Sequence, residues 1–292
     1  MTTKKVKSYC RTCNHETNHQ ILSEHIDSTR EDYAYDHTYQ ITQCLGCDRK
    51  SFREVLEDVE HAYQISEDDW EVPTSINVYP NFIKGHRTLE GGYYLPSLVG
   101  LIYKEVLLAI QENALILAGL GLRGTVEAVC NDLNITGRNL EIRISKLATA
   151  GYISRKDSDR LHGIRFMGND AAHEVKKPKS EQLSVALKIV EHLLSSVYIL
   201  EKEVEGNLEI TITDFNKFDE LLTTKLKSLL PGDELPMPEI LGRDIRRVKE
   251  SLISLESELN EKINNGQYLN LKTGKLSKYL KSKNKLQHYI KV

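Results

Sequence analysis

The sequence predicts a mainly α protein: a compact helical bundle with a small β unit in front of it and a helical extension behind. Three observations predict it. Apolar residues recur at helical spacing from about residue 96 to 205, four of the five cysteines fall within the first fifty residues, and helical patterning resumes beyond 206 around a Pro-rich turn. At 292 residues the chain is about twice the usual domain length, and 40% hydrophobic with 28% charged residues is an ordinary globular composition.

The β unit comes first. Cys10-Arg-Thr-Cys13 and Cys44-Leu-Gly-Cys47 are two CxxC pairs separated by thirty residues. A CxxC turn sets two thiolates at about the separation a tetrahedral ion needs, and a second such turn beside it completes a closed shell of four sulfurs. No position is left for water, so the expected role is structural: one zinc per chain, ligated by Cys10, Cys13, Cys44 and Cys47 in a zinc ribbon. Redox dithiols or disulfides are the competing reading. Gln20–Ser23, Tyr39–Gln43 and Ser51–Leu56 alternate as short strands that a metal would hold as hairpins. Cys130 lies in an apolar helical pattern and reads as core.

Two motifs match patterns whose context is missing. His15-Glu-Thr-Asn-His19 has the H-E-x-x-H form of a metalloprotease, but it starts two residues after Cys13 and no long helix or third ligand accompanies it. Gly119-Leu-Gly121-Leu-Arg-Gly124 has the form of a dinucleotide fingerprint, but the following eighty residues read almost wholly as helices. Glycines that let two helices approach closely are the simpler reading.

In the middle, Leu98, Leu101, Ile102, Val106, Ala109 and Ile110 trace the first helix, which ends near Asn113. A second runs to about Leu133. Leu140, Ile144, Leu147 and Ala148 mark a third, stopped by Gly151. A fourth covers 157–173 and a fifth 180–205. In the fourth, Arg165, Asn169 and His173 are spaced i, i+4, i+8 and share one face of a continuous helix. A break at Gly168 would let them converge more tightly. A cap with a buried histidine is the structural alternative.

Arg123-x-x-x-Glu127, Gly151-Tyr-Ile and Ile164-Arg-x-x-Gly168-Asn169-x-Ala171-Ala172-His173 resemble the bacterial family called domain of unknown function 4145 over roughly residues 96–205. Cys47-Asp-Arg-Lys-Ser51-Phe52-Arg53-Glu54 fits the ribbon that members of that family often carry. The family is similar to the HEPN superfamily of helical domains, which includes metal-independent ribonucleases whose Arg-(4 to 6 residues)-His motif is usually completed across a homodimer. The resemblance implies that His173 is the catalytic histidine and Asn169 its polar companion, with Arg165 on phosphate. Arg165 departs from the motif, because seven residues separate it from His173. Along an unbroken helix their Cα atoms lie about 12 Å apart.

Charge is uneven. Residues 16–71 hold fifteen acids against four Lys or Arg, whereas 271–292 hold seven Lys and no acid. The tail reads as a solvated, amphipathic closing helix or as a surface for phosphate or an acidic partner. Ahead of it, Asp214–Leu230 reads as a helix, 231–238 as a turn, and 239–264 as a long helix with Ile245, Val248, Leu252, Leu255 and Leu259 on one face. The best membrane candidate, 98–122, is interrupted by Lys104, Glu105 and Glu112, and the basic start has no apolar segment behind it. No membrane span and a cytoplasmic location are expected.

The expected organisation is a zinc ribbon (1–62), a linker (63–95), a HEPN-like helical domain (96–205) and a helical extension with a basic tail (206–292). The expected function is an RNA-binding or RNA-cleaving effector, plausible in phage defence or a stress response, acting as a homodimer. The alternative is a non-catalytic interaction module that recruits a nucleic acid or a separate effector protein.

Overall fold

Seven strands precede the first long helix, which corrects the mainly α expectation. A computed structural model gives the architecture and describes residues 4–280 and 284–292. The chain is 44% helical and 24% strand, with one large curled antiparallel sheet over residues 5–79. It forms two compact units, Met1–Lys202 and Glu203–Val292. Met1–Thr3 at the basic start, and Lys281 and Lys283 of the lysine-rich tail, lie outside the described residues.

In the first unit, β1 (Lys5–Cys10), β2 (His15–Thr29), β3 (Tyr35–Cys44) and β4 (Lys50–Asp58) follow one another as antiparallel hairpins. β5 (Tyr63–Ser66) and β6 (Asp69–Glu71) make a separate hairpin, and β7 (Thr74–Tyr79) then pairs with β4 from Phe52↔Tyr79 to Glu57↔Thr74. The stretch expected as a linker thus supplies the fifth strand. The inner side of the sheet is polar: Thr42 is fully buried, and Gln40 and Arg53 nearly so. Arg53 donates to Gln40 (2.6 Å), Gln40 to Glu24 (2.6 Å), and Lys4 to Glu24 (2.9 Å). Because apolar residues do not mark that side, hydrophobic periodicity understates the length of these strands.

Residues 80–95 fasten the chain onto the helices. Phe82 stacks on Tyr9 with ring centroids 5.3 Å apart, and the Gly85 N–H donates to the Tyr9 hydroxyl (2.9 Å). His86 and the buried Tyr103 both contact Glu191 Oε1 at 2.6 Å. Burial first, and then the Glu191 carboxylate, push the Tyr103 phenol well above its ordinary value.

The bundle follows its apolar pattern closely. Its helices are α1 (Ser97–Gln111), α2 (Leu115–Asp132), α3 (Leu140–Thr149), α4 (Arg155–His173) and α5 (Ser180–Leu194), the last continued through a π-helical turn into α6 (Leu200–Val204). Asn139 caps α3 and Ser154 caps α4 through their side chains. One core runs from Leu95 to Ile199 and includes Cys130, fully buried as expected. Among the described residues one helical stretch, Ser180–Val204 rather than 98–122, is long and apolar enough to cross a membrane. Its Leu183, Leu187, Val190 and Leu194 are buried in the core.

The second unit corrects the helical extension. α7 (Phe215–Leu226) lies where a helix is expected. The long helix expected over 239–264 is broken into α8 (Met237–Leu241), α9 (Ile245–Val248) and α10 (Leu252–Asn264), with Gly242 at φ 54° between the first two. β8 (Glu234–Pro236), β9 (Leu271–Ser277) and β10 (Leu286–Lys291) form a sheet in the order β8-β10-β9. The described part of the tail therefore carries two strands and no helix. Tyr289 and Leu271 are buried against Phe218, Leu222 and Leu259, and that burial selects the hairpin over a solvated helix.

Glycines set the spacing of α2 against its neighbours. A Cβ on Gly121 would sit 2.6 Å from Val106 Cγ2, and one on Gly168 would sit 2.6 Å from Arg123 Cβ and 2.7 Å from Arg123 Cδ. Gly168→Ala is expected to destabilise by about 1–3 kcal/mol through overpacking, although alanine favours helix. On the same helix Gly163→Ala, where a Cβ meets nothing within 4 Å, should stabilise by about 0.5–1 kcal/mol. Denaturant titration of both variants checks the pair; a stabilised Gly168→Ala would remove close approach as the constraint.

Candidate functional site

The four cysteines predicted as ligands come together. β1 ends at Cys10 and β3 ends at Cys44, and the turns that follow carry Cys13 and Cys47. Both turns are built alike. The N–H of Asn14 donates to the Cys10 carbonyl (2.7 Å) and that of Asp48 to the Cys44 carbonyl (3.0 Å), with Asn14 and Asp48 at φ 58° and 59°. Asn and Asp tolerate this left-handed conformation better than most side chains, so each turn can close directly after its second cysteine.

All four sulfurs lie within 4.8 Å of one another. Cys10 Sγ is 3.5 Å from Cys47 Sγ, and Cys13 Sγ is 3.9 Å from Cys44 Sγ. A tetrahedron with metal–sulfur bonds of about 2.3 Å has edges of about 3.8 Å, so the set fits a single ion. All five cysteines are free thiols and no disulfide joins them.

The thiols differ in proton affinity. The hydrogen bond to Cys47, then burial, pushes Cys13 up to about 12. Burial raises Cys10. Burial also acts on Cys44, but the Thr17 hydroxyl at 3.2 Å and the Gly46 and Cys47 N–H groups outweigh it and bring that thiol down to about 6. One sulfur is thus ready as thiolate near neutral pH, and a cation would supply the charge that lets the others follow. Thr17 carried no signal in the sequence, because its role exists only once β2 lies beside β3.

The polar row of α4 does not converge. α4 runs unbroken from Arg155 to His173, so Gly168 is no kink; it is the place where α2 presses Arg123 against the helix. Arg123 also pairs with Glu127 at 2.9 Å. Arg165 is largely buried, with its Nη1 3.5 Å from Glu141 of α3 and its guanidinium 4.5 Å from the Phe166 ring centroid. Asn169 is half-buried, and His173 is exposed in the last turn. At about 1.5 Å per residue, Arg165 and His173 stay about 12 Å apart.

The helices carry a recognised pattern. The family model described as Domain of unknown function (DUF4145) matches residues 104–224. No curated protein and no solved structure matches the chain. The match begins within α1 and runs past the expected limit of 205 into α7. Arg123 and Gly168, on which the resemblance was drawn, are thus packing partners at the α2–α4 contact.

The two incomplete motifs are accounted for by position. His15 and His19 lie on β2 rather than on a helix, with His15 exposed and His19 buried, and their Nδ1 atoms face the Cys13 and Thr17 carbonyls. Gly119, Gly121 and Gly124 lie inside α2, where the first two face Pro178 and Val106.

If the four sulfurs share a metal ion, its removal should release the sheet and spare the bundle. Hydrogen exchange of the full chain after mercurial displacement and chelation, or of Cys44→Ser/Cys47→Ser, is expected to lose protection over residues 4–79 and keep it over 97–199. Unchanged protection of β2 and β3 would show that the sulfurs do not hold the sheet.

Proposed function

We propose that the protein is a non-catalytic interaction module, in which a zinc-clamped sheet and a HEPN-like helical bundle recruit a macromolecular partner. The observation that carries this reading is the use made of α4: Arg165 is drawn to Glu141 on an unbroken helix while His173 stands alone at the far end. Phosphoester cleavage of the HEPN kind needs a guanidinium and an imidazole at one phosphate, since one stabilises the charge that the other creates by moving a proton. Here the guanidinium already has a carboxylate partner. The alternative, an RNA-cleaving effector with His173 as general acid/base and Arg165 and Asn169 on phosphate, would require Arg165 to leave that partner.

Zinc is the proposed metal because four thiolates with no open position form the donor set of a structural zinc site. Free thiols serving as ligands suit a reducing compartment, in keeping with a cytoplasmic location. Elemental analysis of protein purified without chelator is expected to give close to one zinc per chain; a thiolate-bound metal of another kind would overturn the assignment.

Purified wild type and His173→Ala, incubated with total cellular RNA and with tRNA in buffer free of divalent cations, are expected to leave the RNA equally intact. Cleavage by wild type that the variant lacks would overturn the non-catalytic reading.

A further inference from the structure

The outer face of the sheet carries an uncovered plate of rings and aliphatic groups. The register of β3 with β4 and of β4 with β7 sets Tyr39, Ile41, Phe52, Leu56 and Tyr79 on one side. Ile41, Phe52, Leu56 and Tyr79 are 47%, 41%, 40% and 36% exposed. The rings form a continuous rank across the three strands: His37 to Tyr39 at 4.2 Å, Tyr39 to Phe52 at 6.2 Å, and Phe52 to Tyr79 at 6.0 Å between centroids. A contiguous exposed patch of this kind marks an interaction surface more often than scattered apolar residues do.

Charge decides what it fits. The same side carries Asp27 of β2 and Glu54 and Asp58 of β4 around Tyr39 and Leu56, and Lys5 and Lys7 of β1 and Lys50 of β4 in the half nearest the cysteines. Each of these carboxylates has a histidine as its ion-pair partner: Asp27 with His25 at 3.0 Å, Glu54 with His37 at 3.6 Å, and Asp58 with His61 at 3.0 Å. Around Tyr39 and Leu56 the plate is therefore rimmed by carboxylates, with its lysines at the other end. That half disfavours a phosphate backbone, which needs lysine or arginine beside its stacking rings. It attracts cations, which gain from ring faces and carboxylates together.

We infer that this face docks a lysine- or arginine-rich polypeptide segment, its cationic heads lying over Tyr39 and Phe52 and between Asp27, Glu54 and Asp58. The inference rests on the interaction-module reading and names the partner's chemistry. The aromatic neighbours also stabilise the sheet through cross-strand contacts, and the test must separate the two roles.

The test is fluorescence anisotropy of a labelled Arg-Gly repeat peptide titrated with the metal-loaded full chain, beside an oligouridylate RNA of similar length. Wild type is expected to bind the peptide and not the RNA. Phe52→Ser should weaken peptide binding about tenfold, and Glu54→Lys/Asp58→Lys about a hundredfold, with metal content and thermal melting as in wild type. Phe52 is exposed and the charge variant leaves the rings in place, so at least one of the two remains folded and informative. Absence of peptide binding by wild type, or equal binding by the folded variants, overturns the inference. So does RNA binding that Phe52→Ser abolishes. A wild-type dimer that the same substitution dissociates would assign the face to a second copy instead. The nuclease comparison reads a different signal on a different residue, so failure of this docking face and failure of the module reading are told apart.

Discussion

Four cysteine sulfurs bring two turns of one sheet to a point where they could share an ion, and the sheet itself has almost no apolar core. Among the described residues before Leu95, the buried apolar side chains are Cys10, Cys44 and Val55, and two of those are candidate ligands. The rest of the buried set there is polar, from Ser8 and His19 to Gln40, Thr42 and Arg53. Hydrogen bonds among such groups contribute only about 1 kcal/mol each after desolvation. A structural metal on the four sulfurs would contribute an apparent ~10–16 kcal/mol of folding free energy. The bundle has the opposite basis, a continuous apolar core from Leu95 to Ile199.

This difference explains what could be read in advance. Helices α1 to α5 were legible nearly to the residue, because each buries one stripe and the stripe repeats at helical spacing. The cysteine turns were legible because CxxC spacing encodes a geometry. The strands between them were legible only in part, since β2 and β3 turn polar residues inward and β5 to β7 are exposed on nearly every residue. In the second unit the apolar positions were right and the topology was not. Val248, Leu255 and Leu259 are buried as their spacing required, but Gly242 breaks the helix, and Tyr289 finds its core from a strand.

The row on α4 shows where spacing arguments stop. Positions i, i+4 and i+8 do share a helix face, and Arg165, Asn169 and His173 lie along one. Spacing along one helix cannot say what stands opposite it. Glu141 comes from α3, and Arg123, which occupies the surface at Gly168, comes from α2. Both are fixed by packing angles that the α4 sequence does not contain. A glycine that looked like a hinge in isolation is a contact point once its neighbour is known.

The metal clamp and the aromatic plate are linked through register. Cys44 ends β3, Cys47 lies in the turn, and β4 begins at Lys50, so the second knuckle fixes which residues of the two strands stand opposite. With the Cys44 N–H bonded to the Arg49 carbonyl at 2.9 Å, Ile41 faces Phe52 and Gln40 faces Arg53. A slip of one residue would exchange the two faces of β4, sending Phe52 into a polar interior and Arg53 out among the rings. The hydrophobic effect does little to oppose that slip, because the inner side offers almost no apolar surface to bury. A metal on the four sulfurs would oppose it, since they can reach one ion only in one register. Such a site would order exposed rings that it does not touch, on a sheet whose inner side is lined by sulfur and hydrogen-bonded polar groups rather than by apolar packing.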